Sequence, residues 1–189
     1  MAALPPLPSA PRRGGFVTPL AKISLVMAAA CVLYSLLQLA VAAALPFDAI
    51  TEAFDNIGMP IPAQITWVFD HLVALSLVGV LFSLLLLASA WALLRRREWG
   101  RWLFIVLLAV AALGNFASLY FLDGMLDGMQ AMLPAQLAGT PEAMQFEAQM
   151  RVNRVIGMAS GAATALAFAA LHAWVILKLC SPAIRAEFR

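Results

Sequence analysis

Histidine is the side chain in this sequence best suited to acid–base or metal chemistry, and it occurs twice, as His71 and His172. His71 follows Asp70 near the start of one long apolar run, whereas His172 lies deep in another. At 1.5 Å per helical residue the two imidazoles differ in depth by ~20 Å, so one haem cannot use both within one chain. An ionisable group inside a membrane span is a functional hypothesis by default. The alternative for His172 is a neutral imidazole that hydrogen-bonds to a neighbouring helix.

Two amide side chains add to the candidate polar positions. Gln38 and Asn115 lie toward the same end of their apolar runs as Asp70 and His71. These four side chains predict either a polar pathway through an oligomeric transporter or channel, or hydrogen bonds between helices, worth ~0.6 kcal/mol each. No aspartate or glutamate lies near the middle of an apolar run, which argues against proton-coupled transport by the chain.

Soft metal ligands are present but poorly placed. Met125, Met129 and Met132 share one helical face, and thioethers bind Cu(I). No histidine or cysteine lies near them, and methionine also fills gaps on adaptable surfaces. Cys31 and Cys180 fall in separate runs, and the chain has no phosphate-binding loop, metal-ligand spacing or nucleophile motif. The sequence therefore predicts no enzymatic activity, no cofactor, no metal site and no binding of nucleic acid.

Composition indicates which elements carry these side chains. The chain is 63% hydrophobic and 12% charged, and its mean hydropathy is +0.90. A soluble domain is about 45–50% apolar and about 25% charged, and a core of this size cannot bury the excess. Four apolar runs, at about 23–45, 67–94, 102–122 and 155–179, are long enough to cross a bilayer. We expect an all-α membrane protein, a four-transmembrane-helix bundle over 21–180, between a disordered tail at 1–20 and a short tail at 181–189.

The distribution of charge predicts orientation. One side of the predicted bundle holds ten basic residues and only two acids, Glu98 and Glu187. The other side holds eight acids and two arginines, Arg151 and Arg154. Lysine and arginine are enriched in cytoplasmic loops, so both termini are expected in the cytoplasm. The ten basic residues are Arg12, Arg13, Lys22, Arg95, Arg96, Arg97, Arg101, Lys178, Arg185 and Arg189.

Helices are also expected outside the spans. Residues 46–57 carry an apolar stripe opposite acidic residues, which predicts a short amphipathic helix on the outer side. Thr140 and Pro141 are a typical helix start, and no helix breaker follows before the fourth span. We therefore expect an extended fourth helix from about 141 to 180 that projects ~15–20 Å beyond the membrane.

Two patterns predict contacts of the spans. Small residues recur every four positions in the fourth span and predict close helix packing, within the chain or with a second copy. These residues are Gly157, Gly161, Ala165, Ala169 and Ala173. A basic turn between the second and third spans predicts a topology anchor and a contact with anionic lipid, about 1 kcal/mol per basic residue. Its basic residues are Arg95, Arg96, Arg97 and Arg101.

The run RRREWGRWLFIVLLAV, residues 95–110, resembles the entry into a span of small four-span bacterial inner-membrane proteins of unknown function. The resemblance implies a bacterial inner-membrane location and carries no activity with it. Two function classes stay open. The first is a non-enzymatic accessory or scaffold protein that sits in the lipid bilayer and contacts a membrane-protein partner or a second copy. The second is a transporter or channel component that uses the polar positions.

Overall fold

The computed structural model describes residues 15–56, 61–131 and 139–188, and its regular elements in these ranges are all helical. The helices that are long and apolar enough to cross a membrane are α1, α4, α5 and α6. In chain order the elements are α1 Val17–Ala44, α2 Phe47–Asn56, α3 Ala63–Asp70, α4 Leu72–Leu94, α5 Glu98–Ala131, α6 Pro141–Cys180, α7 Pro182–Arg185 and a 3₁₀ turn Ala186–Phe188.

The second predicted span, 67–94, is interrupted at His71, so that it consists of the end of α3 and all of α4. His71 Nδ1 lies 2.9 Å from the carbonyl oxygen of Trp67, and the imidazole stacks on the Trp67 indole with the ring centroids 4.7 Å apart. His71 has φ −111° and ψ 7°, outside the helical region. A periodic apolar pattern cannot reveal such a local departure, because the apolar residues continue on both sides of it.

The most extensive helix contact joins α1 and α4. Buried small side chains recur every seven residues on both helices, a spacing that keeps two helices in register along their whole length. Ser35 Oγ on α1 lies 3.1 Å from Ser83 Oγ on α4, so the two hydroxyls share a hydrogen bond across this seam. The repeating residues are Ala21, Ala28, Ser35 and Ala42 on α1, and Ser76, Ser83 and Ala90 on α4.

α5 packs between α4 and α6, and the small-residue stripe of α6 only partly follows the seam with α5. A Cβ atom at Gly161 would lie 2.8 Å from Leu119 Cδ2, and one at Gly157 would lie 4.0 Å from Leu126 Cδ1. Ala165 is buried, whereas Ala169 is half-buried and Ala173 is exposed. Residues four apart advance about 400° around a helix, so the stripe turns away from α5 by about 40° per step.

The end of the long helices that carries the basic turn, here called the basic end, contains the main apolar cluster. It joins the start of α1 to the end of α6, and the Phe16 and Trp174 rings meet edge to face at 5.3 Å. The expected disordered tail, 1–20, is therefore too long, since residues 17–20 form the first turn of α1; residues 1–14 lie outside the described ranges. The segment 181–188 is folded onto the same cluster. The buried members of the apolar cluster are Val17, Ala21, Leu93, Phe104, Val175, Leu179, Ile184 and Phe188.

At the opposite, acidic end, which carries α2, α3 and the aspartates near the end of α5, two helices continue past the apolar spans. α6 begins at Pro141, and the Thr140 hydroxyl accepts a hydrogen bond from the Ala143 N–H at 3.2 Å, as the sequence predicts. The third span was expected to end at about residue 122, but α5 continues to Ala131. The reason lies in its packing, because polar residues in this extension pair with α6.

Candidate functional site

A tandem repeat, Leu-Asp-Gly-Met, occupies residues 122–129 near the end of α5. Its period of four residues is close to the 3.6 residues of a helical turn, so like residues stack on one face. The aspartates face α6, and the glycines face α3. The repeat therefore joins three helices at the acidic end.

Arg154 of α6 binds the two aspartates of the repeat, and these three residues are here called the clamp. Its Nη2 lies 2.6 Å from Asp123 Oδ1, and its Nη1 lies 2.5 Å from Asp127 Oδ1. One guanidinium thus donates to two carboxylates one helical turn apart, a geometry that arginine's fixed fork of donors permits. The cluster keeps a net charge of −1, and all three side chains are more than a third exposed.

The glycine face lets α3 approach α5 closely. A Cβ atom at Gly128 would lie 2.3 Å from Pro62 Cβ, and one at Gly124 would lie 3.2 Å from Gln64 Nε2. The rigid proline ring leaves no room for a larger residue at 128. The close approach also brings the Trp67 and Phe121 rings to 5.7 Å.

Beside this contact lies an open cavity of about 410 Å³. Its lining includes three aromatic residues, two aspartates and one glutamine. Its lining is Ala63, Gln64, Trp67, Tyr120, Phe121, Asp123, Gly124 and Asp127.

The structure does not bring the five candidate polar positions together. Gln38 and Asp70 are exposed, and the His71 imidazole is hydrogen-bonded to the Trp67 carbonyl oxygen. Asn115 lies on α5 beside α6. His172 lies half-buried on α6, its ring 6.2 Å from that of Phe168. Over the ranges 15–56, 61–131 and 139–188, no hydrogen bond links any two of these five side chains.

A groove of about 530 Å³ runs between α5 and α6, next to the clamp. It is lined by small and polar side chains, and the hydroxyls of Ser118 and Ser160 donate to carbonyl oxygens of their own helices. Its polar residues are Asn115, Ser118, Ser160 and Thr164.

The basic turn divides into exposed and buried arginines. Arg95 lies over the Trp91 ring at 4.1 Å and Arg97 is exposed, so both remain available to lipid headgroups. Arg96 binds Glu187 at 2.7 Å. The predicted contact of Arg101 with lipid is wrong, because its side chain is only 1% exposed. The four arginines are close neighbours in the sequence, and their spacing does not predict which of them is buried.

No family model, curated protein or solved structure matches this chain. Within the part of the chain that the structure describes, no three His, Cys, Asp or Glu side chains are placed to hold a metal ion. Met125 and Met129 both point to exposed surface of α5, and Met132 lies outside the described residues.

The residues of the clamp and of the aromatic cavity are not among the candidate positions that the sequence predicts. Asp123, Asp127 and Arg154 enter that prediction only through the overall charge of the outer side. The Leu-Asp-Gly-Met repeat is the signal that points to them, because a four-residue repeat on a helix predicts one acidic and one glycine stripe side by side.

Replacement of Arg154 by alanine is expected to separate the ends of α5 and α6. Both ion pairs would be lost, and two uncompensated carboxylates would remain one helical turn apart. Spin labels at Met129 and Val152, both exposed, should give a broader and longer distance distribution by pulsed electron paramagnetic resonance. The exposed Arg151→Ala variant is the matched control and should leave the distribution unchanged. Equal broadening in both variants would show that the clamp does not hold the ends of α5 and α6 together.

Proposed function

We propose that this chain is a non-enzymatic accessory protein of a bacterial inner membrane. In this proposal α1, α4, α5 and α6 form a four-helix bundle in lipid, both termini are cytoplasmic, and the acidic end binds another membrane protein. The observation that carries the proposal is the continuation of α5 and α6 beyond the spans that the sequence predicts, where they expose apolar side chains.

The exposed apolar side chains lie far from the spans. Met144 of α6 is 58% exposed and lies 11 residues before the predicted fourth span, which is ~16 Å along a helix. Phe146 is 39% exposed on the same segment. Keeping these two side chains in water costs free energy, and in this proposal a protein partner covers them.

The charge of the acidic end supports a basic partner. Its loops and helix ends carry eight acids and two arginines, and Arg154 is already bound to Asp123 and Asp127. Glu142 and Glu147 flank the exposed Met144 and Phe146. The expected partner therefore presents apolar and basic side chains to the start of α6, since complementary charge steers association.

Photo-crosslinking tests this proposal. We expect p-benzoyl-phenylalanine at position 144 or 146, introduced in living cells, to form a discrete adduct with one membrane protein. Charge reversal by Glu142→Lys with Glu147→Lys should lower the yield of the adduct several-fold. Asp48→Lys, on α2 at the same end, is the control for general electrostatics and should leave the yield unchanged.

Two outcomes would contradict the proposal. One is an equal set of adducts from position 177, where the exposed Leu177 lies within the span near the basic end. The other is an adduct formed only with a second copy of this chain, which would indicate a homo-oligomer in place of an accessory protein.

The groove between α5 and α6 favours a second candidate, a transporter or channel component. Asn115, Ser118, Ser160 and Thr164 give it hydrogen-bonding side chains within the apolar spans. Cysteines at 118 and 160, in a chain whose two native cysteines are replaced, should react with a membrane-impermeant maleimide if the groove is wet. A cysteine at the lipid-facing position 113 is the control, because Leu113 is 71% exposed on the same helix. Absence of labelling at 118 and 160 favours the accessory function.

A further inference from the structure

The cavity between α3 and α5 combines aromatic rings and carboxylates in its lining. Aromatic rings carry negative charge on their faces and attract ammonium groups within about 6 Å. Trp67, Tyr120 and Phe121 supply three such rings, and the first and last stand 5.7 Å apart at an interplanar angle of 44°. Its volume of about 410 Å³ lies within the usual range of small-molecule sites.

The carboxylates at the cavity retain capacity for a second cation. Arg154 binds Oδ1 of Asp123 and Oδ1 of Asp127, which leaves both Oδ2 atoms outside these ion pairs. The three side chains together carry a net charge of −1. A second positive group is therefore attracted without displacing Arg154.

The structure around the cavity is held in place from two sides. The glycine face of α5 admits Pro62 and Gln64 and so sets the distance between the two helices. His71 stacks on the Trp67 indole and bonds to the Trp67 carbonyl oxygen, which orients that ring. Tyr120 is 84% exposed, so the cavity is open to ligands from the surface.

We propose that this cavity binds a substituted ammonium group, between the rings of Trp67, Tyr120 and Phe121 and the carboxylates of Asp123 and Asp127. Two sources share this chemistry, the amine headgroup of a membrane lipid and a free organic cation. The cavity borders the apolar spans, where tryptophan and tyrosine side chains meet lipid headgroups. The site is separate from the exposed start of α6 that the partner is proposed to bind.

Fluorine NMR of the purified full chain with 5-fluorotryptophan tests the site. The chain has five tryptophans, and Trp67→Phe identifies the resonance of Trp67. In nanodiscs of phosphatidylglycerol, tetramethylammonium chloride is expected to shift this resonance saturably, whereas sodium chloride at equal ionic strength is not. The other four tryptophans lie outside the cavity lining and serve as internal controls for the fold.

A second set of nanodiscs, containing phosphatidylethanolamine, distinguishes the sources. If the lipid is the ligand, its presence produces the shift and abolishes the response to tetramethylammonium. If a free cation is the ligand, the response to tetramethylammonium persists. Either outcome supports an ammonium site.

Variants show whether the rings and carboxylates act on the cation. Tyr120→Ala is expected to weaken binding of tetramethylammonium about two- to five-fold, the usual size of an exposed cation–π contact. Asp127→Asn should weaken it, whereas Asp70→Asn, an equal charge change at the same end outside the cavity, should not. The proposal is overturned if Trp67 does not respond to tetramethylammonium or to phosphatidylethanolamine. It is also overturned if 3,3-dimethylbutanol, whose neutral tert-butyl group has the shape of a trimethylammonium group, shifts the Trp67 resonance equally.

Discussion

Replacement of Arg101 by alanine is expected to lower the free energy of unfolding by about 2–4 kcal/mol. This is the largest effect expected for any of the four arginines in the basic turn. The Arg101 guanidinium is buried at the start of α5, where it donates to the Leu179 carbonyl oxygen at 3.3 Å and to Glu98 at 3.2 Å. It also lies over the Phe188 ring at 5.8 Å. Its loss leaves a carbonyl near the end of α6 without its partner and a void under the C-terminal segment.

Two further variants separate charge from position. Arg97→Ala removes an exposed arginine of the same turn and should change the free energy of unfolding by less than about 0.5 kcal/mol. Arg101→Lys keeps the charge but loses the forked donors, so an intermediate loss is expected. Denaturation of the detergent-solubilised chain, followed by circular dichroism, measures all three. Equal losses for Arg97→Ala and Arg101→Ala would contradict the role assigned to the buried guanidinium.

The second large effect is expected at Gly100, where alanine should destabilise the fold by about 1–3 kcal/mol through overpacking. A Cβ atom there would lie 2.4 Å from Ala92 Cβ and 3.0 Å from the Ala92 carbonyl carbon. The Ala92 backbone cannot rotate away, because the Arg97 N–H donates to the Ala92 carbonyl oxygen at 2.9 Å. The variant must therefore move α4 away from α5 at the turn.

Gly114→Ala is the matched control on the same helix. A Cβ atom at Gly114 meets nothing within 4 Å, so the change adds only the better helix propensity of alanine, up to about 1 kcal/mol. In the same detergent, the unfolding midpoint is expected to fall for Gly100→Ala and to rise for Gly114→Ala. A neutral Gly100→Ala would show that the turn between α4 and α5 is loosely packed.

Arg101→Ala and Gly100→Ala act at the basic end, away from the two proposed sites. Arg96, which adopts φ 56° in this turn, links Glu187 at 2.7 Å to Thr18 at 2.9 Å. The turn thus ties the first turn of α1 to the last residues of the chain. We expect this end to hold the long helices together while the acidic end meets ligands and partners.

Local patterns determined a large part of this protein. The length and apolarity of four runs predict four membrane-competent helices, because a backbone in lipid must satisfy its hydrogen bonds internally. Thr140 and Pro141 predict the start of α6 to the residue, since a helix start depends on the local N–H groups that a cap satisfies. The apolar stripe of residues 46–57 likewise predicts α2.

Tertiary structure alone decided which faces meet and which charges are buried. The sequence offers a glycine–alanine stripe on α6, yet the most extensive seam joins α1 and α4 through small residues every seven positions. Arg97 and Arg101 are equivalent in a charge count, but one is exposed and the other lies against Leu179 and Phe188. The reason is physical: lipid solvates every apolar face equally well, so hydropathy cannot say which face packs on protein. His172 stays separate from the other polar positions because it lies toward the basic end of α6, one helical turn after Phe168.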